Sequence, residues 1–558
     1  MIDLPILLSD ASVFLLSPWK PLVIWGVVVT WAWLVASKIQ ADAEYYRFNL
    51  PQWNIAFISF ATIGLGVMIF GWIFWVGWPV GILVLMAPIL FYWKVRNANV
   101  PEENKFTLSF SKSPEAAEKK ANKRAQKSVT LQYLDSNKDT VAIPPEKEAG
   151  HEVFLTLDSI LAPALEERAT RLDLGLSAGG CIATKTIDTI RSKIDNMDTK
   201  SGVNLFNQIR LMAGMDMEEN RQKQTGMFKV MAPENHYDLT ITSSGTSKGQ
   251  LLRIDVDRAR QVKLPYDGLG LLDKQREILD PLTQMHARHG IVLLSAPPGQ
   301  GLTTTGYSVM STHDSYTSNV RTLELEQEAT LEGTVQQIWD PASPDVDYAR
   351  TLQSMLRRDP DVVLVTDVTD SETARIAAES GSKGPLIYIS LTAGSTMEAI
   401  SKWIQLVGDL DLATEPLKAV VHQRLIRRLC DNCKVGFVPA DAGRLRLPEG
   451  AQLYKASGKV EDRNKIIDCP VSKGTGYLGV TGIFEVMPIN SDVRKCLADG
   501  DLKAAQTAAR REKMILMQEA AMQKAVQGIT SIEEIKRVLA GDKKKKKPAP
   551  KPSSEPTG

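Results

Sequence analysis

The chain has 558 residues, enough for several domains that each bury a core of their own. With 66 Lys and Arg against 65 Asp and Glu, the formal net charge is +1, so the overall charge gives no reason to expect a specific nucleic-acid partner. There are five cysteines, and three of them (Cys430, Cys433, Cys469) lie close together in sequence; this usage suits a reducing compartment and metal binding better than a disulfide framework.

Residues 1–96 read as a transmembrane anchor of three helices, about 19–38, 55–75 and 77–93. The run PLVIWGVVVTWAWLVAS (21–37) is nearly free of charge and, with its flanks, approaches the ~20 residues that span a bilayer. The uncharged stretch 55–93 is about twice that length, with a turn expected at Gly77, Trp78 and Pro79. No basic segment precedes the first run, which argues against a cleaved signal peptide. Lys94 and Arg96 behind the last run place the following residues in the cytoplasm, and three spans then put Asp3 and Asp10 outside. A shallow hairpin would reverse the first residue alone. The expected location is a membrane, multi-pass, with the bulk of the chain cytoplasmic.

Residues 97–150 form a polar linker, with EAAEKKANKRAQKS (115–128) as a charged, solvated helix or linker segment. From 151 to 265, apolar positions at mixed helical and strand spacing predict a small α+β domain. A second core, α/β in class, occupies 266–428. It opens on a helical stretch, LGLLDKQREILDPLTQMHARHG (269–290), followed by the strand-like run Ile291 to Leu294, a loop of small residues and another helix. A further subdomain follows over 429–540. The last residues, 541–558, carry Lys543 to Lys547 and too little apolar surface to order themselves.

A phosphate loop, G-x-x-x-x-G-K-[ST], uses glycines to let backbone N–H groups surround phosphate, a lysine to neutralise the β and γ oxygens and a hydroxyl to bind magnesium. The corresponding stretch here is Ala296-Pro297-Pro298-Gly299-Gln300-Gly301-Leu302-Thr303. Taken alone it is only a glycine-containing turn before a helix. Other segments, in order, give it meaning: LMAGMDMEENRQKQTGMF (211–228), TTTGY (303–307), RRDPDVVLVTDVTDSETARIAAES (357–380), QRLIRRLCDNCK (423–434), GYLGVTGIFEV (476–486) and VQGITSIEEIKRVL (526–539). Together they resemble the ATPases of type II secretion and type IV pilus assembly.

The resemblance implies a RecA-like P-loop core, a C-terminal zinc-knuckle-like and helical subdomain, a homo- or hetero-hexamer, and inner-membrane platform proteins as partners. It also implies ATP and magnesium as cofactors, with nucleotide-binding positions Gly299, Gly301, Leu302, Thr303, Thr304 and Arg253. Thr303 keeps the magnesium hydroxyl, whereas Leu302 replaces the lysine. Glu324 keeps one acid of the first acidic motif while Leu325 displaces its aspartate, and Asp367 stands for the glutamate of the second. Pro385 and Thr392 occupy two histidine positions, and Thr240 replaces an arginine of the amino domain. These losses point to a pseudo-ATPase with weak or absent hydrolysis. A relocated charge, at Lys383 or on an arginine from a neighbouring subunit, would instead leave an active motor. Cys430, Cys433 and Cys469 match the paired C-x-x-C knuckle with Ser472 at the fourth position, either as a three-thiolate zinc site or as scaffold retained without tight metal.

Overall fold

The computed structural model describes residues 19–45, 48–70, 74–99, 128–145, 148–233, 235–340, 347–439, 443, 450, 452–463 and 465–540. The chain divides into two units, 1–117 and 118–558, taken in turn below. The expectations for Asp3, Asp10, most of the 115–128 segment and the lysines of the tail fall outside the described residues.

In the first unit three helices are long and apolar enough to cross a membrane: Lys20–Tyr45, Leu50–Phe70 and Trp75–Asn99. They differ from the expected spans at their ends. The first helix runs through a π-helical turn at Val35–Ile39 and on to Tyr45, and the third continues past Trp93 to Asn99. Gly77, Trp78 and Pro79 do not make the turn, because they lie inside the helix Phe74–Asn99. Pro79 lies inside that helix, where it removes one bond of the ladder, a loss that long apolar helices tolerate. The second and third helices approach closely at Gly81, where a Cβ would stand 2.3 Å from Met68 Cγ and 2.9 Å from the Gly64 carbonyl oxygen. Polar side chains tie the three together. Asp42 accepts Arg96 Nε at 2.8 Å, Arg96 Nη2 at 3.2 Å and the Tyr92 hydroxyl at 2.7 Å, Gln40 donates to Asn54 at 2.9 Å, and Trp31 Nε1 donates to the Leu85 carbonyl at 2.8 Å.

The second unit contains two seven-stranded sheets. The first is wholly antiparallel. Its strands are β1 (Gln132–Leu134), β2 (Arg171–Ser177), β3 (Gly180–Ile187), β4 (Ile190–Met197), β5 (Gln224–Met231), β6 (His236–Thr246) and β7 (Gly249–Val256), in the order β1-β5-β6-β7-β2-β3-β4. The amphipathic helices Ala149–Glu166 and Thr199–Met212 bury Phe154, Leu157, Leu205 and Ile209 against Leu172, Leu174, Phe228 and Leu252 of the sheet. The fold therefore starts ahead of residue 151. β1 pairs with β5, Leu131 and Tyr133 enter the core, and the Asp158 carboxylate accepts the amides of Thr130 and Leu131, both at 3.0 Å. A three-residue strand is too short to show a period in sequence, which is why this part read as linker.

The second sheet is parallel apart from its last pair. Strands β8 (Gly290–Ala296), β9 (Val320–Glu324), β10 (Val335–Ile338), β11 (Val362–Val365), β12 (Leu386–Thr392) and β13 (Leu417–Leu429) are joined at the edge by antiparallel β18 (Tyr477–Pro488), in the order β10-β9-β11-β12-β8-β13-β18. Both faces are covered, as parallel sheets require. Ile291, Leu293, Val363 and Ile387 enter one core, while Val292, Leu294, Leu364 and Tyr388 enter the other. The helical stretch expected over 269–290 is broken: the α-helix covers only Asp273–Leu279, and 3₁₀ turns follow at Asp280–Thr283 and Met285–Ala287. Pro281 has no N–H to continue the ladder.

Between β13 and β18 the chain forms two small hairpins, β14 (Lys434–Phe437) with β15 (Leu453–Ala456), and β16 (Lys459–Asp462) with β17 (Lys465–Asp468). Helices Met517–Val526 and Ile532–Ala540 pack near them through Met517, Ala521 and Ile535, against Ile426, Leu453 and Ile483. Glu534 fixes the last helix. It accepts Arg427 Nε and Nη2 at 3.0 and 2.8 Å, and Arg537 Nε at 2.8 Å.

Candidate functional site: a glycine loop and a cysteine cluster

β8 is flanked on both sides by parallel neighbours, so the loop that leaves its carboxyl end sits above the middle of the sheet. Residues 297–301 form that loop and the helix Leu302–Met310 follows directly. Gly299 and Gly301 have φ of 73° and 78°, the left-handed region in which side chains are disfavoured. Gln300 fixes the loop to β13: its backbone carbonyl accepts Gln423 Nε2 at 2.8 Å, and its side-chain oxygen accepts the Leu425 amide at 2.9 Å. Sequence reasoning missed this brace, since its two halves are more than a hundred residues apart. The helix begins without a side-chain cap, so its first amides face the loop.

Leu302 is half-buried and packs on the apolar core beneath the loop, with Tyr266, Ile278 and Leu282 at the edge of the same cluster. Thr303 and Thr304 follow, and the Thr303 hydroxyl donates to Glu328 Oε1 at 3.1 Å. Glu328 was not singled out in the sequence; its signal is a third acid, after Glu324 and Glu326, at alternate positions. Glu324 itself is buried with both carboxylate oxygens engaged inside the protein. One accepts the Tyr307 hydroxyl, and the other accepts Thr322 Oγ1 and, at 3.0 Å, Gln336 Nε2. The carboxylate beside the loop is thus that of Glu328.

Asp367 follows β11 at the same end of the sheet with φ of 51°, in the left-handed region that aspartate tolerates. Burial by the surrounding protein, with the Glu328 charge added, raises its pKa above the ordinary carboxylate value. Two cations from outside the sheet balance the acids. Arg258 Nη1 lies 2.7 Å from Glu326 Oε1 and its Nη2 3.1 Å from Glu328 Oε1, while Lys223 Nζ lies 2.6 Å from Glu326 Oε2. Burial works against ionisation of Glu326, but Lys223 and Arg258 outweigh it and hold its pKa below the usual range.

The remaining expected residues fall in several places. Leu325 is exposed at the end of β9 and Thr392 ends β12 level with Ala296. Pro385 and Lys383 precede Leu386, which pairs with Gly290 at the opposite end of the sheet. At ~3.3 Å per residue they stand about 20 Å from the loop. Lys383 therefore cannot replace the lysine of its own loop. Arg253 lies on β7, paired with Asp173 at 3.1 Å, and Thr240 on β6.

The cysteines form a separate cluster. Cys430 follows β13, Cys433 lies in the next turn and Cys469 follows β17. All three are buried, and their sulfurs lie within 4.8 Å of one another. Ser472, fully buried, places its Oγ 3.5 Å from Cys433 Sγ and accepts the Gly476 amide at 3.2 Å. Burial opposes ionisation of Cys469, yet hydrogen bonds from Asn432 and Ser472 bring its thiol down to about 6. Three converging sulfurs fit a zinc ion, and the Ser472 oxygen stands beside them.

A parallel sheet with a glycine loop and helix over an interior strand, and carboxylates beyond the ends of β9 and β11, defines a P-loop-type α/β core. The family described as "Type II/IV secretion system protein" matches residues 147–537, and the chain belongs to it. Over 388 residues it is 29% identical to the type II secretion system protein E of Dickeya dadantii, covering 69% of this chain and 75% of that one. With the type II secretion system protein E of Pseudomonas aeruginosa it shares 27% over 399 residues, or 70% and 76% of the two chains. The solved structure of the Legionella pneumophila ATPase DotB matches with a TM-score of 0.47 and 17% identity, over 69% of this chain and 96% of that one.

Proposed function

We propose that this protein is a membrane-anchored subunit of a type II secretion or type IV pilus assembly machine, retaining the ATPase fold with little or no hydrolysis. The observation that carries the reading is Leu302, an apolar side chain packed on the core where the phosphate loop needs its lysine. Losing one charged partner of the phosphate costs roughly 1.5–3 kcal/mol, or at least about tenfold in rate. When bound, magnesium would neutralise phosphate charge, and Thr303 and Asp367 are the residues to hold it. The loop amides attract phosphate, so weak ATP binding without efficient turnover suits the site.

The three apolar helices support anchoring in the inner membrane with the second unit cytoplasmic, beside a platform protein, as one member of a homo- or hetero-hexameric ring. Cysteine labelling in intact cells tests the orientation: a probe at Ser128 reacts only after permeabilisation, and external labelling there sinks it. Zinc held by Cys430, Cys433 and Cys469, with Ser472 alongside, serves as a structural tie.

ATP turnover by the purified chain decides the main point. A second reading, an active motor with a relocated charge, draws support from Arg258, which brings a guanidinium to the acids beside Thr303. A rate of about 1 per second or faster, abolished by Asp367→Ala, would establish that reading instead.

A further inference from the structure

One carboxylate oxygen joins the loop to a cation. Glu328 Oε1 accepts the Thr303 hydroxyl at 3.1 Å and lies 3.1 Å from Arg258 Nη2, so the guanidinium stands no more than 6.2 Å from the hydroxyl expected to bind magnesium. A hydroxyl and a guanidinium converging on one anionic oxygen are the donors a phosphate oxygen would use. The contact is largely shielded, with Arg258 and Glu328 only 19% and 21% exposed, yet it remains reachable from solvent.

Arg258 does not depend on Glu328 for its place. Its other terminal nitrogen is fixed by Glu326, whose second oxygen is fixed in turn by Lys223. Removal of Glu328 would leave Nη2 in position with a free donor. The loop cannot tolerate everything at once: Glu326, Glu328 and Asp367 already outnumber Arg258 and Lys223, and a triphosphate adds further negative charge.

We propose that Arg258 is the phosphate-facing cation of this site in place of the lost lysine, and that Glu328 is an internal anion holding the phosphate position until a polyphosphate displaces it. This rests on the reading above only in taking a nucleotide polyphosphate as the ligand. Binding then requires Glu328 to give up Thr303 and Arg258, so the ligand-free site is closed by the protein's own carboxylate. Arg258 acts here as a positioning and binding residue, with no claim on turnover.

The test measures binding by calorimetry on the full-length chain in detergent, with magnesium ATP and with inorganic tripolyphosphate. Glu328→Gln should tighten both by about tenfold, and Arg258→Ala should weaken both by at least as much. The double variant should bind no better than Arg258→Ala, and Arg258→Lys should keep part of the affinity. Leu302→Lys added to Arg258→Ala should restore binding, which shows that the arginine variant still folds. Unchanged or weaker binding by Glu328→Gln, or parental affinity in Arg258→Ala, overturns the proposal. Brisk turnover by the parent would remove the pseudo-enzyme reading and leave this one standing.

Discussion

The cysteine cluster has lost one residue of a four-part pattern and the glycine loop two, its first glycine to Ala296 and its lysine to Leu302, with opposite consequences. At the cluster, serine stands in for cysteine. Ser472 still points a polar atom at the sulfurs and still holds the Gly476 amide, so the geometry survives with a weaker donor. At the loop, leucine stands in for lysine. Leu302 turns to the apolar core, and the acids are balanced from another part of the chain, by Arg258 and Lys223. A substitution that keeps a donor preserves a site, whereas one that removes it makes the neighbours rearrange their charges.

The largest effect that could break this contrast is catalytic. The unmodified chain should turn over ATP well below ~1 per second, and Leu302→Lys should raise affinity more than turnover, because Leu325 and Thr392 remain. Steady-state phosphate release checks both. Equal gains in affinity and turnover would mean that the lysine was the only catalytic loss.

The next effect concerns the charges that secure the C-terminal subdomain. Burial alone would raise the Glu534 carboxyl, but Arg537 and Arg427 hold it at about 2 against an ordinary 4.5. A lowered folded-state pKa stabilises the fold above the unfolded value, and that stability is lost as pH falls from about 4.5 through about 2. At 1.36 kcal/mol per unit it amounts to at most about 3 kcal/mol. Glu534→Gln should lower stability at neutral pH by roughly 2–3 kcal/mol in chemical denaturation and flatten its dependence on acid. A variant as stable as the parent at pH 7 would show that these charges are not what holds the last helix.

Smaller still, Ser472→Cys should tighten zinc at least about tenfold in competition with a chromogenic chelator, with nucleotide affinity unchanged. Gln300→Ala removes the side-chain hydrogen bond to the Leu425 amide, leaves the one that its backbone carbonyl accepts from Gln423, and should weaken ATP binding by a few-fold. If Gln300→Ala leaves binding intact, the loop holds its shape through Gly299, Gly301 and the bond from Gln423 to the backbone carbonyl.

Much of this contrast was legible in the residues. The loop could be placed because an apolar run, two glycines and a row of threonines follow one another, and the cysteines because a fixed spacing brings sulfurs together. Glu328 was not legible, since nothing local distinguishes it from Glu326; only folding brings it to Thr303. The same holds for Arg258, which comes from beyond the first sheet, and for Lys383, whose distance from the loop depends on a strand register that sequence does not display. Strand β1 escaped because three residues carry no period, and the expected turn at Gly77 failed because a long apolar helix tolerates glycine and proline in its interior.

The Asp42 and Arg96 pair joins the first and third apolar helices near their ends. Arg96 lies three residues before the end of its helix, so tension arriving along the chain from Asn99 reaches it almost at once. The ion pair passes that load to the first helix, and Gln40 passes it to the second through Asn54. In a bilayer, a pull on any one of the three helices would be shared with the other two through these polar ties.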